Sequence, residues 1–360
     1  MPFTFETVDS QGGQACLALD KNNNPHVAYA GGSGKLMLAS RTAETGKWTR
    51  EELSGGGLIG ASDSDRVCLE IDSEGNPHVA YRELNSGNLF YGVKRNNSWS
   101  FTPVPTSRFN DPRGVSGYSF KLHSGRMRPE LRDTPHFAYN DLTSSALGYT
   151  RKVQGQFKRI KVAEQSLFDV GRYTSMALDE LSGTFLIAYI EELEQGEPDP
   201  AVPPQTRVRM TRIIDPFEGT VGHTSLIDNG QFQVARPTSI ASDGGWCVTY
   251  ADLTTNTLKA SFFDFSLPES HKETVATTVF PVVPFLAKMP GGDYRIAYGD
   301  ENKLKLASRN QFGMWIVEVV DPEGGGMPSL AYDTLGNAHI VYTVGNALKY
   351  AKGTSRWRFK

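Results

Sequence analysis

Asp72-Ser73-Glu74-Gly75-Asn76-Pro77-His78-Val79-Ala80-Tyr81 decides the fold, because its pattern returns along the whole chain. The first half crowds Asp, Gly, Asn and Pro together, which is turn chemistry. The second half alternates as a strand does. That strand half recurs as Pro-His-Val-Ala-Tyr29, Pro-His-Phe-Ala-Tyr139, Phe-Leu-Ile-Ala-Tyr189, Trp-Cys-Val-Thr-Tyr250, Tyr-Arg-Ile-Ala-Tyr298 and Ala-His-Ile-Val-Tyr342, seven copies in all. The intervals average roughly 52 residues, within the range of propeller blades.

Each copy sits in a set of short strands. Before it, an alternating segment ends in Asp, as in Cys16-Leu-Ala-Leu-Asp20, Cys68-Leu-Glu-Ile-Asp72 and Ser329-Leu-Ala-Tyr-Asp333. After it come a third strand, such as Leu89–Lys94, and a fourth that opens on an aromatic: Trp48, Trp99, Phe157 or Trp315. Four short strands joined by turns describe an antiparallel meander, and no segment carries a helical period. Seven meanders can form a linear solenoid or a closed ring; the ring leaves only short protected edges and needs no polar capping repeat. The expected fold is therefore an all-β, seven-bladed β-propeller with four-stranded antiparallel blades, in a single domain over 1–360. Blades are expected near 14–53, 66–104, 117–163, 173–227, 237–276, 282–320 and 327–360, with Phe3–Val8 supplying the last strand of the final blade.

Composition narrows the function classes. The chain has 360 residues, 39% hydrophobic and 21% charged, which excludes wholesale disorder. Its longest apolar run, Phe185–Ile190, is too short to cross a bilayer. A net charge of −3 gives no basic footprint for nucleic acid. Three cysteines, Cys16, Cys68 and Cys247, lie in strand-like segments and do not form a disulfide framework. Met1–Val8 has neither the basic nor the apolar region of a signal peptide, so a cytoplasmic protein is expected, with a recloned secreted domain as the alternative.

The repeat resembles the broad group of bacterial and fungal seven-bladed propellers known as sialidase-like or BNR-repeat proteins, through Asp72-Ser-Glu-Gly-Asn-Pro-His-Val-Ala-Tyr81 and its relatives. The resemblance covers the whole chain and implies the fold. Members and neighbours of that group include polysaccharide lyases, lectins and enzymes of natural-product pathways. The sialidase Asp-box, Ser-x-Asp-x-Gly-x-x-Trp, and the Phe/Tyr-Arg-Ile-Pro motif are absent, so sialidase activity is not implied.

Candidate site residues follow from meander geometry. His26, His78, His136 and His339 each open the second strand of a blade, so they are spread around the ring and cannot converge on one metal; they read as structural, and no metal or other cofactor is expected. Glu83, Asp141, Glu191, Asp252 and Asp300 fall two residues past the repeated tyrosine, at turns that favour acids, with cation or substrate binding as the alternative. Gly55-Gly-Gly57-Leu-Ile-Gly60 matches Gly-x-Gly-x-x-Gly, but no helix follows, so it reads as a loop. The positions just before each first strand are expected to rim an axial funnel: Gln14, Arg66, Gly117-Tyr118, Arg172-Tyr173, Arg236, Val282 and Met327. Arg66, Arg172 and Arg236 suit a carboxylate, sulfate or phosphate, and Tyr118 and Tyr173 beside such cations suit acid/base work. Arg113 and Phe168 are expected to add walls. The alternative pairs each arginine with a nearby acid, such as Asp65, Asp169 or Asp252.

The expected function is an enzyme with an Arg/Tyr-lined pocket acting on a small anionic or oxygen-rich substrate by lyase- or cyclase-type chemistry, in the manner of a natural-product pathway. The alternatives are a lectin-like glycan binder and a protein-interaction scaffold. Rim residues that differ from blade to blade favour one asymmetric site over a repeated lectin site. The expected partner is a small molecule or glycan, with neither nucleic acid nor membrane, on a monomer or weak oligomer. The acidic, proline-rich insertion Glu191–Gln205 extends the fourth blade and reads as an expanded hairpin, with a lid as the alternative.

Overall fold

In the computed structural model of the chain, the described residues are 2–42, 44–53, 57, 59, 67–106, 114–164, 168–193, 206–230, 238–241, 245–263, 271–279 and 282–354. They form seven four-stranded sheets, each antiparallel between sequence neighbours, the architecture of a seven-bladed β-propeller. Blades 1, 2, 5 and 6 occupy 12–52, 68–103, 238–277 and 285–321. Blade 3 comprises strands a Val115–Leu122, b Pro135–Asp141, c Ala146–Val153 and d Gln156–Ala163. Blade 4 comprises a Phe168–Asp179, b Thr184–Leu193, c Thr206–Asp215 and d Thr220–Gly230. Blade 7 takes Gly326–Tyr332, Ala338–Val344 and Ala347–Gly353 from the end of the chain and Phe3–Asp9 from its start, with Phe3 opposite Gly353 and Asp9 opposite Leu348. The sole helical element among the described residues is one 3₁₀ turn, Pro129–Leu131, between the first two strands of blade 3. No helix there is long and apolar enough to cross a membrane.

Contacts divide the chain into two compact units. The first is Met1–Tyr81, Tyr91–Thr102 and Val282–Lys360; the second is Arg82–Phe90 and Pro103–Pro281.

The repeat explains how blades stack within each unit. Residues two apart on a strand share a face, so Val27 and Tyr29, or Ile187 and Tyr189, form a large face while Ala28 or Ala188 forms a small one. In the second unit, Ala138 of blade 3 packs with Ile187 and Tyr189 of blade 4, and Ala188 of blade 4 with Val248 and Tyr250 of blade 5. In the first, Ala297 of blade 6 meets Ile340 and Tyr342 of blade 7, and Val341 of blade 7 meets Val27 and Tyr29 of blade 1. Each small residue makes room for the next blade's tyrosine, and all seven tyrosines are buried. Burying such rings is worth about 2–3 kcal/mol each. Three of their hydroxyls also donate to an aspartate at the end of the preceding blade: Tyr29 to Asp9 at 2.7 Å, Tyr250 to Asp228 at 2.6 Å and Tyr342 to Asp321 at 2.6 Å.

The histidines are bound into the scaffold, as their positions imply. His78 stands 3.1 Å from Asp72 and 2.7 Å from Tyr91 Oη. His339 repeats this with Asp333 at 3.3 Å and Tyr350 at 2.6 Å. In blade 3 Thr134 replaces the aspartate, and His136 lies between its hydroxyl and Tyr149. His26 keeps Ser40 at 2.9 Å, while Asp20 is 3.5 Å away. Cys247 is buried, Cys16 and Cys68 are half-buried, and none of the three forms a disulfide.

Burial lowers the pKa of His26, His123, His136 and His339 from the ordinary imidazole value, His136 furthest. A histidine held neutral in the fold gives stability that is complete above the unfolded pKa near 6.5 and is lost as pH falls toward the folded pKa. The melting temperature is therefore expected to fall between pH 7 and 5, above the range where carboxylates titrate. A flat melting profile down to pH 5 would show that these rings do not control acid stability.

Candidate ligand site at the end of blade 4

Blade 4 is built longer than the others. Its strands have 12, 10, 10 and 11 residues, and the surplus lies at the end where strand a begins and strand b turns into c. There Phe168 pairs with Leu193, Asp169 with Glu192, and Glu191 with Arg207. Alternation then sorts the charges onto two faces.

On one face Arg172 directs Nε to Asp169 at 2.9 Å and Nη1 to Glu192. Asp169 in turn accepts from Asn140 Nδ2 at 2.7 Å, and Asn140 Oδ1 accepts from Ser116 Oγ at 2.9 Å. One polar chain thus runs from blade 3 into blade 4. Burial works against the Arg172 cation, but Glu192 and Asp169 outweigh it and hold its pKa above that of free arginine. On the other face the buried Glu191 carboxylate takes Arg209 Nε at 2.6 Å, with Arg207 at 3.8 Å. The Arg207 guanidinium lies 4.3 Å above the centre of the Phe168 ring, a cation–π arrangement.

Of the rim positions expected just before strand a, Val282 precedes its strand, Phe285–Lys288, while the other described ones lie inside theirs. Gln14, Tyr118, Tyr173 and Met327 all fall within register shifts of the first strand, at Gly12/Ala15, Ser116/Ser119, Arg172/Ser175 and Gly326/Ser329. A bulge adds a residue and breaks the period-2 pattern, which is why these segments read as loop. Gly117, Tyr173 and Met327 have φ of 51°, 52° and 46°. Left-handed backbone at Tyr173 costs on the order of 1–3 kcal/mol, and such residues cluster at functional sites.

The two units place the remaining candidates as follows. In the second unit, Tyr118 is buried and its hydroxyl accepts the Arg82 N–H at 3.1 Å. Tyr173 is half-buried against the cluster around Ile190, Val208 and Tyr250. Phe168 is buried. In the first unit, Gln14 is buried in blade 1 and Met327 is half-buried in blade 7. Arg66, Arg113 and Arg236 lie outside the described residues, as do Asp63, Asp65 and most of the Gly55–Gly60 loop. The structure thus brings together Arg172, Tyr173 and, through the Gly117 backbone, the segment of Tyr118, while Phe168 lies under Arg207 on the other face. Sequence reasoning missed Asn140, Arg207 and Arg209; Arg207-Val-Arg209 carried a signal, since alternation puts both arginines on one face.

The five acids beyond the tyrosines serve turns and ion pairs. Glu83 accepts backbone N–H groups of Asn85 and Ser86, and Asp252 those of Thr254 and Thr255. Glu191 pairs with Arg209, Asp252 with Lys259 and Asp300 with Lys305. Among the described residues, no group of three or more His, Cys, Asp or Glu is placed to hold a metal ion.

No family model matches the sequence, and no curated protein matches it. Solved structures match across nearly the whole chain. An ulvan lyase of a polysaccharide lyase family, solved bound to -[GlcA(1-4)Rha3S]-, superposes with a TM-score of 0.66 at 11% identity, covering 97% of this chain and 95% of that one. A streptogramin B lyase gives 0.56 at 11% identity, covering 98% of each. A lectin from Burkholderia pseudomallei gives 0.59 at 13% identity, covering 94% and 97%. At these identities the likeness establishes the β-propeller fold, and the sialidase-like grouping rests on the repeat motif alone.

Proposed function

We propose that the protein recognises an oxygen-rich, carbohydrate-like ligand at the long end of blade 4 and acts on it by lyase-type acid/base chemistry. The observation that carries this reading is the meeting of Arg172, Asp169, Glu192 and Tyr173 at one bulge, with Tyr173 held in a left-handed conformation. Two of the three structures described above are lyases, one of them solved with a glucuronate-containing oligosaccharide, and the third is a lectin. In a β-elimination on such a substrate, the proton α to the carboxylate leaves to a base, the β C–O bond breaks, a C=C bond forms and the departing oxygen takes a proton. Arg172 steadies the carboxylate and Tyr173 carries a proton. A glycan-binding role without turnover is the second reading. It is favoured by the balance of Arg172 against two carboxylates, since a mixed set of donors and acceptors suits hydroxyl groups.

Arg172→Gln is expected to weaken binding of uronate-containing oligosaccharides about tenfold, the effect of one charged hydrogen bond. Tyr173→Phe is expected to reduce formation of the unsaturated, ultraviolet-absorbing product more than it reduces affinity. Calorimetric binding and absorbance assays on the two variants separate the readings. Binding without product supports the lectin-like one; normal binding by an early-melting Arg172→Gln makes this cluster a brace between blades and ends both.

A further inference from the structure

In blades 4, 5 and 6 the residue of strand c opposite the repeated tyrosine is a long cation: Arg209 faces Tyr189, Lys259 faces Tyr250 and Lys305 faces Tyr298. Each reaches the acid two residues beyond that tyrosine: Arg209 to Glu191, Lys259 to Asp252, and Lys305 to Asp300 at 2.7 Å. Blade 3 keeps the tyrosine, Tyr139, and the acid, Asp141, but its facing residue is Gly148. A cavity of about 190 Å³ opens there, lined by Tyr139, Asp141, Gly148, Arg159 and Lys161 among others.

We propose that this cavity binds a primary ammonium group carried on a small molecule, with Asp141 as its counter-ion. Blades 5 and 6 show the arrangement with a tethered ligand, the lysine's own ammonium. In blade 3 the carboxylate survives while the facing position carries no cation; the Tyr139 ring lies over Gly148, and both line the cavity. The Asp141 side chain is 6% exposed, so an ion pair formed there is poorly screened. Arg159 of strand d stands 3.9 Å from Asp141 and meets its charge from the outer edge, while Lys161 is turned to Glu164 at 2.8 Å. The cavity is smaller than the 300–1,000 Å³ or so of drug-sized sites. That scale suits one amino sugar or a short alkylamine. The site is separate from the blade 4 cluster, and its test does not depend on that reading.

The test is calorimetric and NMR titration of the full chain with glucosamine and n-butylamine, against glucose and n-butanol as neutral counterparts. Both amines are expected to bind at least tenfold more tightly than their counterparts and to shift the Tyr139 and Gly148 amide signals. Their order tells whether an amino sugar or a lysine-like chain is preferred. Asp141→Asn, which keeps an acceptor for the Thr143 N–H, is expected to remove the preference for amines. Arg159→Gln alters a half-exposed residue and is expected to strengthen amine binding several-fold, because the guanidinium no longer shares the carboxylate. Equal binding of amines and neutral counterparts, or weaker amine binding by Arg159→Gln together with acetate binding to the wild-type chain, would overturn the proposal.

Discussion

Gly117→Ala is expected to destabilise the chain by more than about 3 kcal/mol and to abolish ligand binding at blade 4. Gly117 has a φ of 51°, so any side chain there is strained. A Cβ at this position would also collide with the backbone nitrogen and Cα of Tyr173, which no rotamer change can move aside. The bulges of blades 3 and 4 thus touch backbone to backbone. The Thr174 hydroxyl sits at the same contact, within hydrogen-bonding distance of the Gly117 and Ala138 carbonyls. Displacing Tyr173 would carry Arg172 with it and break the Asp169–Asn140 chain. Gly75→Ala is the control: its φ is 92° but nothing lies within 4 Å of an added Cβ, so only backbone strain of about 1 kcal/mol is expected. Denaturant midpoints of the two variants measure the difference. Equal midpoints would mean that the contact between the bulges yields easily.

Asp333→Ala is expected to cost about 3–4 kcal/mol, more than the loss of an ordinary surface acid. Asp333 accepts the backbone N–H of Leu335 at 3.0 Å and of Asn337 at 2.8 Å. It also holds the Asn337 amide at 2.8 Å and His339 at 3.3 Å. Removing it leaves these part-buried groups without their acceptor, and the pair of His339 and Tyr350 loses its orientation. Burial works against the carboxylate, but the bonds from Asn337 and His339 outweigh it and keep its pKa below the usual value. A depressed folded pKa means stability that is present above the unfolded pKa near 3.9 and lost as pH falls through the folded value. The variant should therefore melt earlier at pH 7 and lose part of the steep decline below pH 4. An unchanged decline there would assign acid lability to other carboxylates.

The repeat made the fold readable because it encodes both packing faces of strand b in three letters: an aliphatic residue and a tyrosine on one side, a small residue on the other. Its turn was equally legible, since Asp72 and Asp333 cap the Gly-Asn loop that follows them and then hold the next histidine. The candidate site was legible only in part. Arg172 and Tyr173 were found, yet placed before a strand they belong to, because a bulge erases alternation locally. The partners Asn140, Arg207 and Arg209 depend on register across several strands, which no local pattern records. Gly148 is the extreme case: it gains meaning only when set opposite Tyr139 and compared with Arg209, Lys259 and Lys305.

The seam in blade 7 has a mechanical consequence. Phe3 lies beside Gly353 and the ladder runs from there inward to Asp9, so the two ends of the chain leave the sheet at the same place. Tension applied to the termini would load the hydrogen bonds one pair at a time, as a zipper, rather than all together in shear. The strand would peel from Phe3 toward Asp9, drawing on the Asp9–Tyr29 contact only at the end. A chain held firmly against heat by its buried tyrosines would thus open under small forces at its ends. The detached strand would also expose the edge of Ala347–Gly353, which a second molecule's Phe3–Asp9 could occupy.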